Sequence, residues 1–136
     1  MKLPIVLIGS SNTSKTSVGK LLAQQLKLPI IALGDISEQY YLEIGFDKAQ
    51  QEQAWEKDGG DGFYRYTMPF DAYAIERAVS EHQECVIEFT PEQSVYDDAQ
   101  LLEKVEQILQ PLTHVILLLY SANTEESLRV LEESNT

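Results

Sequence analysis

The stretch Ile5-Val-Leu-Ile-Gly9-Ser-Ser-Asn-Thr-Ser14-Lys15-Thr16-Ser-Val-Gly-Lys20 decides how the chain is read. An apolar run is followed by Gly, four residues, Ser, Lys and Thr. A helical pattern comes next, with Val18, Leu21, Leu22 and Leu26 on one face. This is strand, phosphate loop, helix. The phosphate-loop pattern is G-x-x-x-x-G-K-[ST], in which backbone N–H groups and the helix N-terminus cradle a triphosphate. The Lys reaches the β- and γ-phosphates, and the Ser/Thr hydroxyl ligates Mg²⁺. Gly9, Lys15 and Thr16 hold their places, and Ser14 stands where the pattern has its second Gly. A Cβ at that position costs roughly 1–2 kcal/mol if the backbone is left-handed, while its hydroxyl can donate to a phosphate. Asn12 tolerates the left-handed region better than most residues. The expected nucleotide contacts run from Gly9 through Ser10, Ser11, Asn12, Thr13 and Ser14 to Lys15, Thr16 and Ser17.

At 136 residues, 43% of them hydrophobic, the chain is one domain with enough apolar material for a core. Twenty-two acidic against 10 basic residues give a net charge of −12, so neither nucleic acid nor an anionic membrane is expected as a partner. The single cysteine, Cys85, lies in an apolar run and reads as a buried thiol. Without a disulfide framework, a signal peptide or an apolar run of about 18 residues, the expected location is cytoplasmic. Two separate histidines, His82 and His114, do not make a metal site.

From the opening stretch outward, Leu3–Ile8 reads as a fully buried strand, because buried parallel strands are continuous apolar runs. A helix over Ser14–Leu26 is closed by Lys27-Leu-Pro29. Pro29–Leu33 is the second strand, followed by Gly34 and Asp35. An acid there lies where open α/β sheets bind ligands. Asp35 is a candidate to hold a substrate hydroxyl, act as base or help order Mg²⁺, and it is equally placed to cap the helix beginning at Ile36; the two roles are not exclusive. A polar helix over Asp47–Lys57 has Trp55 as its anchor, and Asp58-Gly-Gly-Asp-Gly62 reads as a hinge-like turn. Arg65, among aromatics, is a candidate clamp for a carboxylate or phosphate. Pro69 suits a first helical turn, and a helix over Asp71–Glu81 turns Ala72, Ile75, Ala78 and Val79 inward. Arg77 reads as solvated or ion-paired. Glu84–Phe89 is the third strand, and Glu88 near its end is placed to bind Mg²⁺ through its water shell. Ser94 caps a helix over Val95–Gln110, apolar at Ala99, Leu101, Leu102, Val105, Ile108 and Leu109. His114–Tyr120 is a fourth buried strand, and Asn123-Thr-Glu-Glu126 is a capping-box pattern for a last helix. The expected fold is α/β, three layers α/β/α with a four-stranded parallel sheet.

The chain resembles the shikimate kinase group of P-loop small-molecule kinases, related more broadly to adenylate and gluconate kinases. The resemblance covers essentially all 136 residues. It is carried by Ile5–Ala23, which follows the group's strand and G-x-x-G-x-G-K-S-T-[IV]-G-[KR]-x-L-A, closely so over Val18–Ala23, with Asn12 and Ser14 at the two inner glycines. It implies ATP and Mg²⁺, with Lys15 on the phosphates and Thr16 on the metal. Asp35 matches the second Asp of the group's D-x-D segment, which implies that it holds the acceptor hydroxyl and takes its proton; Leu33 fills the first position. Gly62-Phe-Tyr-Arg65 looks like the group's G-F-R, which binds a substrate carboxylate, with one residue inserted. Thr90-Pro91-Glu92 stands where the group has G-G-G. The group continues into an arginine-bearing lid and a final strand, which residues 1–136 are expected to lack as a single nucleotide-binding domain.

Two functions follow as expectations. One is phosphoryl transfer from ATP to a hydroxyl of a small anionic molecule, with Lys15 and Asp35 catalytic, Asp35 and Arg65 on the substrate, and Thr16 and Glu88 at the metal. The other is a degenerate P-loop module that binds nucleotide or regulates without turnover.

Overall fold

A computed structural model describes residues 4–9 and 15–118. Four strands carry the sheet: Ile5–Gly9 (β1), Ile30–Ala32 (β2), Val86–Glu88 (β3) and Val115–Leu118 (β4). All pairs are parallel, in the order β2-β3-β1-β4. Parallel neighbours need crossover connections, and four helices lie along these: Lys15–Leu26 (α1), Leu33–Glu43 (α2), Lys48–Glu81 (α3) and Ala99–Leu109 (α4).

Alternate side chains of each strand enter different cores. Val6, Ile87 and Phe89 pack with Leu33 and Tyr40 of α2, Ala72, Ile75 and Ala78 of α3, and Val105 of α4. Ile5, Leu7 and Val86 pack on the other face against Ala23 of α1. The sheet is thus buried between α1 and the α2–α3–α4 layer, the three-layer α/β/α class expected from the apolar runs. Cys85 is buried and its sulfur donates to His82 O at 3.2 Å. Arg77 is ion-paired with Glu43 at 3.0 Å and Glu81 at 3.5 Å.

Several local expectations need correction. The buried face of α1 is Lys15, Gly19 and Ala23; of the expected stripe Leu22 packs against the same core, while Val18, Leu21 and Leu26 are exposed. The reason is distance. A Cβ on Gly19 would stand 2.7 Å from Ile30 Cδ1 and 3.0 Å from Leu7 Cδ1, so only small residues let this helix approach. The Gly-rich stretch 58–62 does hold a break, but a short one: two helices meet across a kink at Gly59 (φ 66°, ψ −146°), and the second is under way well before Pro69, which is not in a first turn. Trp55 is exposed and meets Phe63 edge-on at 5.9 Å instead of anchoring a core. α4 is capped by Asp98, which accepts from Gln100 N and Leu101 N, because the helix begins at Ala99 and Ser94 closes a separate short turn, Glu92–Ser94, before it. β4 is an edge strand of the described sheet, and Val115 and Leu117 on it are exposed. The last helix and its capping box lie outside the described residues.

The close of α1 at Lys27 matches the sequence pattern. Lys27 takes the left-handed conformation (φ 57°), and Leu28 N returns to Ala23 O at 2.9 Å.

Candidate functional site

β1 ends at Gly9 and α1 begins at Lys15. Ser10, Ser11, Asn12, Thr13 and Ser14 lie outside the described residues, so the site is built from its two flanks. Lys15 is only 4% exposed, and its Nζ donates to Gly9 O at 2.8 Å, bridging the end of β1 and the start of α1. Burial lowers its pKa, and the Glu88 and Glu92 carboxylates work against that, favouring the charged form. The next residue, Thr16, donates from Oγ1 to Glu88 Oε1 at 2.6 Å. Register explains this meeting. β1 and β3 pair with Leu7 opposite Glu88, so the carboxylate emerges beside the carboxyl end of β1. Ser17 is exposed on α1.

A hydroxyl and a carboxylate oxygen in contact are the donor set a hard cation takes. Mg²⁺ is commonly held by one or two carboxylates with substrate phosphates and retained waters. Thr16 and Glu88 fit that chemistry. No group of three His, Cys, Asp or Glu side chains placed to hold a metal occurs among the described residues.

The turn after β3 joins this corner to the rest of the molecule. Ser94 Oγ accepts from Gly9 N at 3.3 Å and donates to Thr90 O at 3.0 Å. Thr90 N donates to Gln93 Oε1 at 3.0 Å, and Gln93 N donates to Thr90 Oγ1 at 3.2 Å. The same Gln93 amide donates from Nε2 to Ser37 Oγ at 2.7 Å and to Asp71 Oδ1 at 3.3 Å. A chain of hydrogen bonds therefore runs from the end of β1 to Asp71. Gly34 admits the turn, since a Cβ there would lie 2.8 Å from Thr90 Cγ2.

Beyond the turn is a cavity of about 400 Å³ bounded by α2, α3 and residues 90–93. Its buried lining is polar: Ser37, Thr67, Asp71 and Gln93. Tyr41, Phe46, Phe63 and Tyr64 supply aromatic surface, and Glu38, Lys48 and Glu92 are its exposed charges. Asp71 is 5% exposed. Tyr41 and Gln93 both donate to its Oδ1. Burial pushes its pKa up to about 6, against the pull of those two hydrogen bonds and with a smaller push from Glu92. Burial and the Asp71 carboxylate together raise the pKa of the Tyr41 hydroxyl. Tyr96, feeling the same carboxylate, buries a hydroxyl with no hydrogen-bond partner among the described residues.

The structure thus brings Gly9, Lys15, Thr16 and Glu88 together. Two expected residues stand apart. Arg65 is 71% exposed at its side chain, lies 3.8 Å from Asp58, and does not line the cavity. The Gly59 break and the helix after it set Arg65 on an outward face. Asp35 is exposed in the first turn of α2 and is not its cap, because the helix starts two residues earlier with Ala32 as N-cap. A carboxylate there interacts favourably with the helix N-terminus. Asp35 adjoins Gly34, which lines the cavity, but does not line it itself.

Sequence reasoning places Asp71 only at the start of a helix and misses its part in the cavity. A signal is present all the same: it shares the inward stripe of Ile75 and Ala78, at i+4 and i+7, so a carboxylate stands on an apolar face.

No family model matches the chain, and no curated protein matches it. Among solved structures it is similar to the shikimate kinase from Bacteroides thetaiotaomicron, with 16% identity, a TM-score of 0.45, and coverage of 98% of this chain and 77% of that one. It is also similar to the shikimate kinase from Aquifex aeolicus vf5, with 16% identity, a TM-score of 0.38, and coverage of 98% and 96%. A third is the shikimate kinase from Acinetobacter baumannii in complex with shikimate, at 16% identity, a TM-score of 0.39, and coverage of 97% and 93%. Likenesses at this level assign no substrate and no activity to this chain. No helix among the described residues is long and apolar enough to cross a membrane.

Proposed function

We propose that the protein binds Mg-ATP at the corner between β1, α1 and β3 and transfers a phosphoryl group to a hydroxyl of a small molecule held in the adjoining cavity. The observation that carries this reading is the meeting of Lys15, Thr16 and Glu88 at the carboxyl ends of two parallel strands. Ligands of open α/β sheets bind at such strand ends.

Lys15 supplies positive charge to the β- and γ-phosphates from a nearly water-free position, where a charge acts more strongly than in solvent. The N-terminus of α1 adds backbone donors to the same anion. Thr16 and Glu88 hold Mg²⁺, which would neutralise charge on the phosphate oxygens. The acceptor hydroxyl needs a carboxylate to take its proton. Glu92 is the better placed candidate, because it lines the cavity and its charge also reaches Lys15. Asp35, beside Gly34 at the same rim, is the other.

Isothermal calorimetry of Mg-ATP with wild type and Lys15→Ala tests the reading. Wild type is expected to bind, and the variant to bind roughly ten- to a hundredfold more weakly, the value of a charge-assisted hydrogen bond to phosphate. Wild type that takes up no nucleotide at millimolar concentration leaves the P-loop module without turnover as the better description.

A further inference from the structure

We infer that the cavity between α2 and α3 takes a small hydroxylated molecule carrying an ammonium group, with Asp71 as its counter-ion, and not an acid. This rests on reading the cavity as the acceptor compartment, and it names the class of acceptor.

The first support is the charge inventory. Among the described residues, Asp71, Glu38 and Glu92 line the cavity against one cation, Lys48, which is exposed. Arg65, another cation of α3, lies outside the lining and beside Asp58. The turn after β3 lines the cavity with Thr90, Glu92 and Gln93, and of these the glutamate repels a carboxylate.

The second support is the state of Asp71. The residue is 5% exposed, lines the cavity, and among the described residues has only neutral donors, the Tyr41 hydroxyl and the Gln93 amide. Both reach Oδ1. No donor among the described residues reaches Oδ2. A buried carboxylate is ordinarily paired or fully hydrogen-bonded. Here it lines a space of about 400 Å³ and has no cationic partner among the described residues. A primary ammonium brings the missing charge and up to three donors. The aromatic surface adds to the same preference. Tyr41, Phe46, Phe63 and Tyr64 all line the cavity, and an aromatic face attracts a cation where it attracts no anion.

Three probes on one carbon skeleton separate the alternatives: D-glucosamine (cationic), D-glucose (neutral) and D-gluconate (anionic). Calorimetry is run on the full chain without nucleotide. D-glucosamine is expected to bind roughly tenfold or more tighter than D-glucose, with D-gluconate weakest. Asp71→Asn keeps an oxygen for Tyr41 and Gln93 and removes only the charge. It is expected to abolish the preference for D-glucosamine while its thermal melt shows a folded protein. If that variant does not fold, Glu38→Gln and Glu92→Gln, both at exposed positions, are each expected to reduce the same preference. D-gluconate binding as tightly as D-glucosamine, no binding of any probe, or a preference that survives Asp71→Asn would overturn the inference. Because nucleotide is absent, a preference for D-glucosamine alongside a failed Mg-ATP titration would reject phosphoryl transfer and keep the assignment of the cavity.

Discussion

The carboxyl group of Asp71 is buried among neutral donors, and burial raises its pKa to about 6 from an ordinary 3.8. That difference also bears on stability. Between those two values the folded chain keeps a proton that the unfolded chain has released, so stability falls as pH rises through the window. Above the window the ionised group costs roughly 3 kcal/mol, because displacing a pKa by one pH unit corresponds to about 1.36 kcal/mol. Asp71→Asn has no such titration. Urea denaturation of both proteins across the window should show the variant gaining stability relative to wild type as pH rises, by up to about 3 kcal/mol at neutral pH. Parallel pH profiles would mean that Asp71 does not carry the buried charge. A group that destabilises the fold when ionised, set against a cavity, is what a binding site tends to contain. This part of the site is hidden in the sequence for a physical reason. The burial of Asp71 is made by α2 and by the turn at 90–94, neither of which is near it in the chain. Lys15 and Thr16 are legible because their environment is local: a strand, a loop and the first turn of a helix.

At the scale of elements, α3 departs most from what its composition suggests. Asp58-Gly-Gly-Asp-Gly62 has the composition of a loop, yet a single residue makes the break. Gly59, at φ 66° and ψ −146°, occupies a backbone region that side chains avoid. Gly62 does a different job. A Cβ on it would come within 2.3 Å of the Ala54 carbonyl oxygen, so the two arms of the helix pass at backbone contact. Propensity cannot separate these cases, because both ask for glycine. Gly59→Ala and Gly62→Ala should each lower stability by about 1–3 kcal/mol, one through conformation and the other through overlap. Thermal melts unchanged by both substitutions would contradict this description of the kink. The Gly19 stripe of α1 is a second instance. A helix that must approach a sheet closely turns its small residues inward, and of the apolar stripe Leu22 packs on the core while Val18, Leu21 and Leu26 stay exposed.

Over the whole molecule, the sheet is the most legible feature. Strands buried on both faces require unbroken apolar runs, and such runs separated by helical patterns leave few arrangements other than a parallel layer. The order β2-β3-β1-β4 then follows from packing that no single stretch encodes. The net charge of −12 also acts at this scale. Like charges repel across a compact body more than across an unfolded chain. Shortening the Debye length from roughly 30 Å at about 0.01 M salt to about 8 Å at about 0.15 M should raise the melting temperature. A midpoint that falls with sodium chloride would show that attractive pairs outweigh the repulsion. The turn from Thr90 to Ser94 has a consequence of another kind. It works as a party wall between two rooms: one surface braces the strand end beside Lys15, and the other holds the amide that faces Asp71. Neither room can be rebuilt alone, since the masonry of one is the plaster of the other.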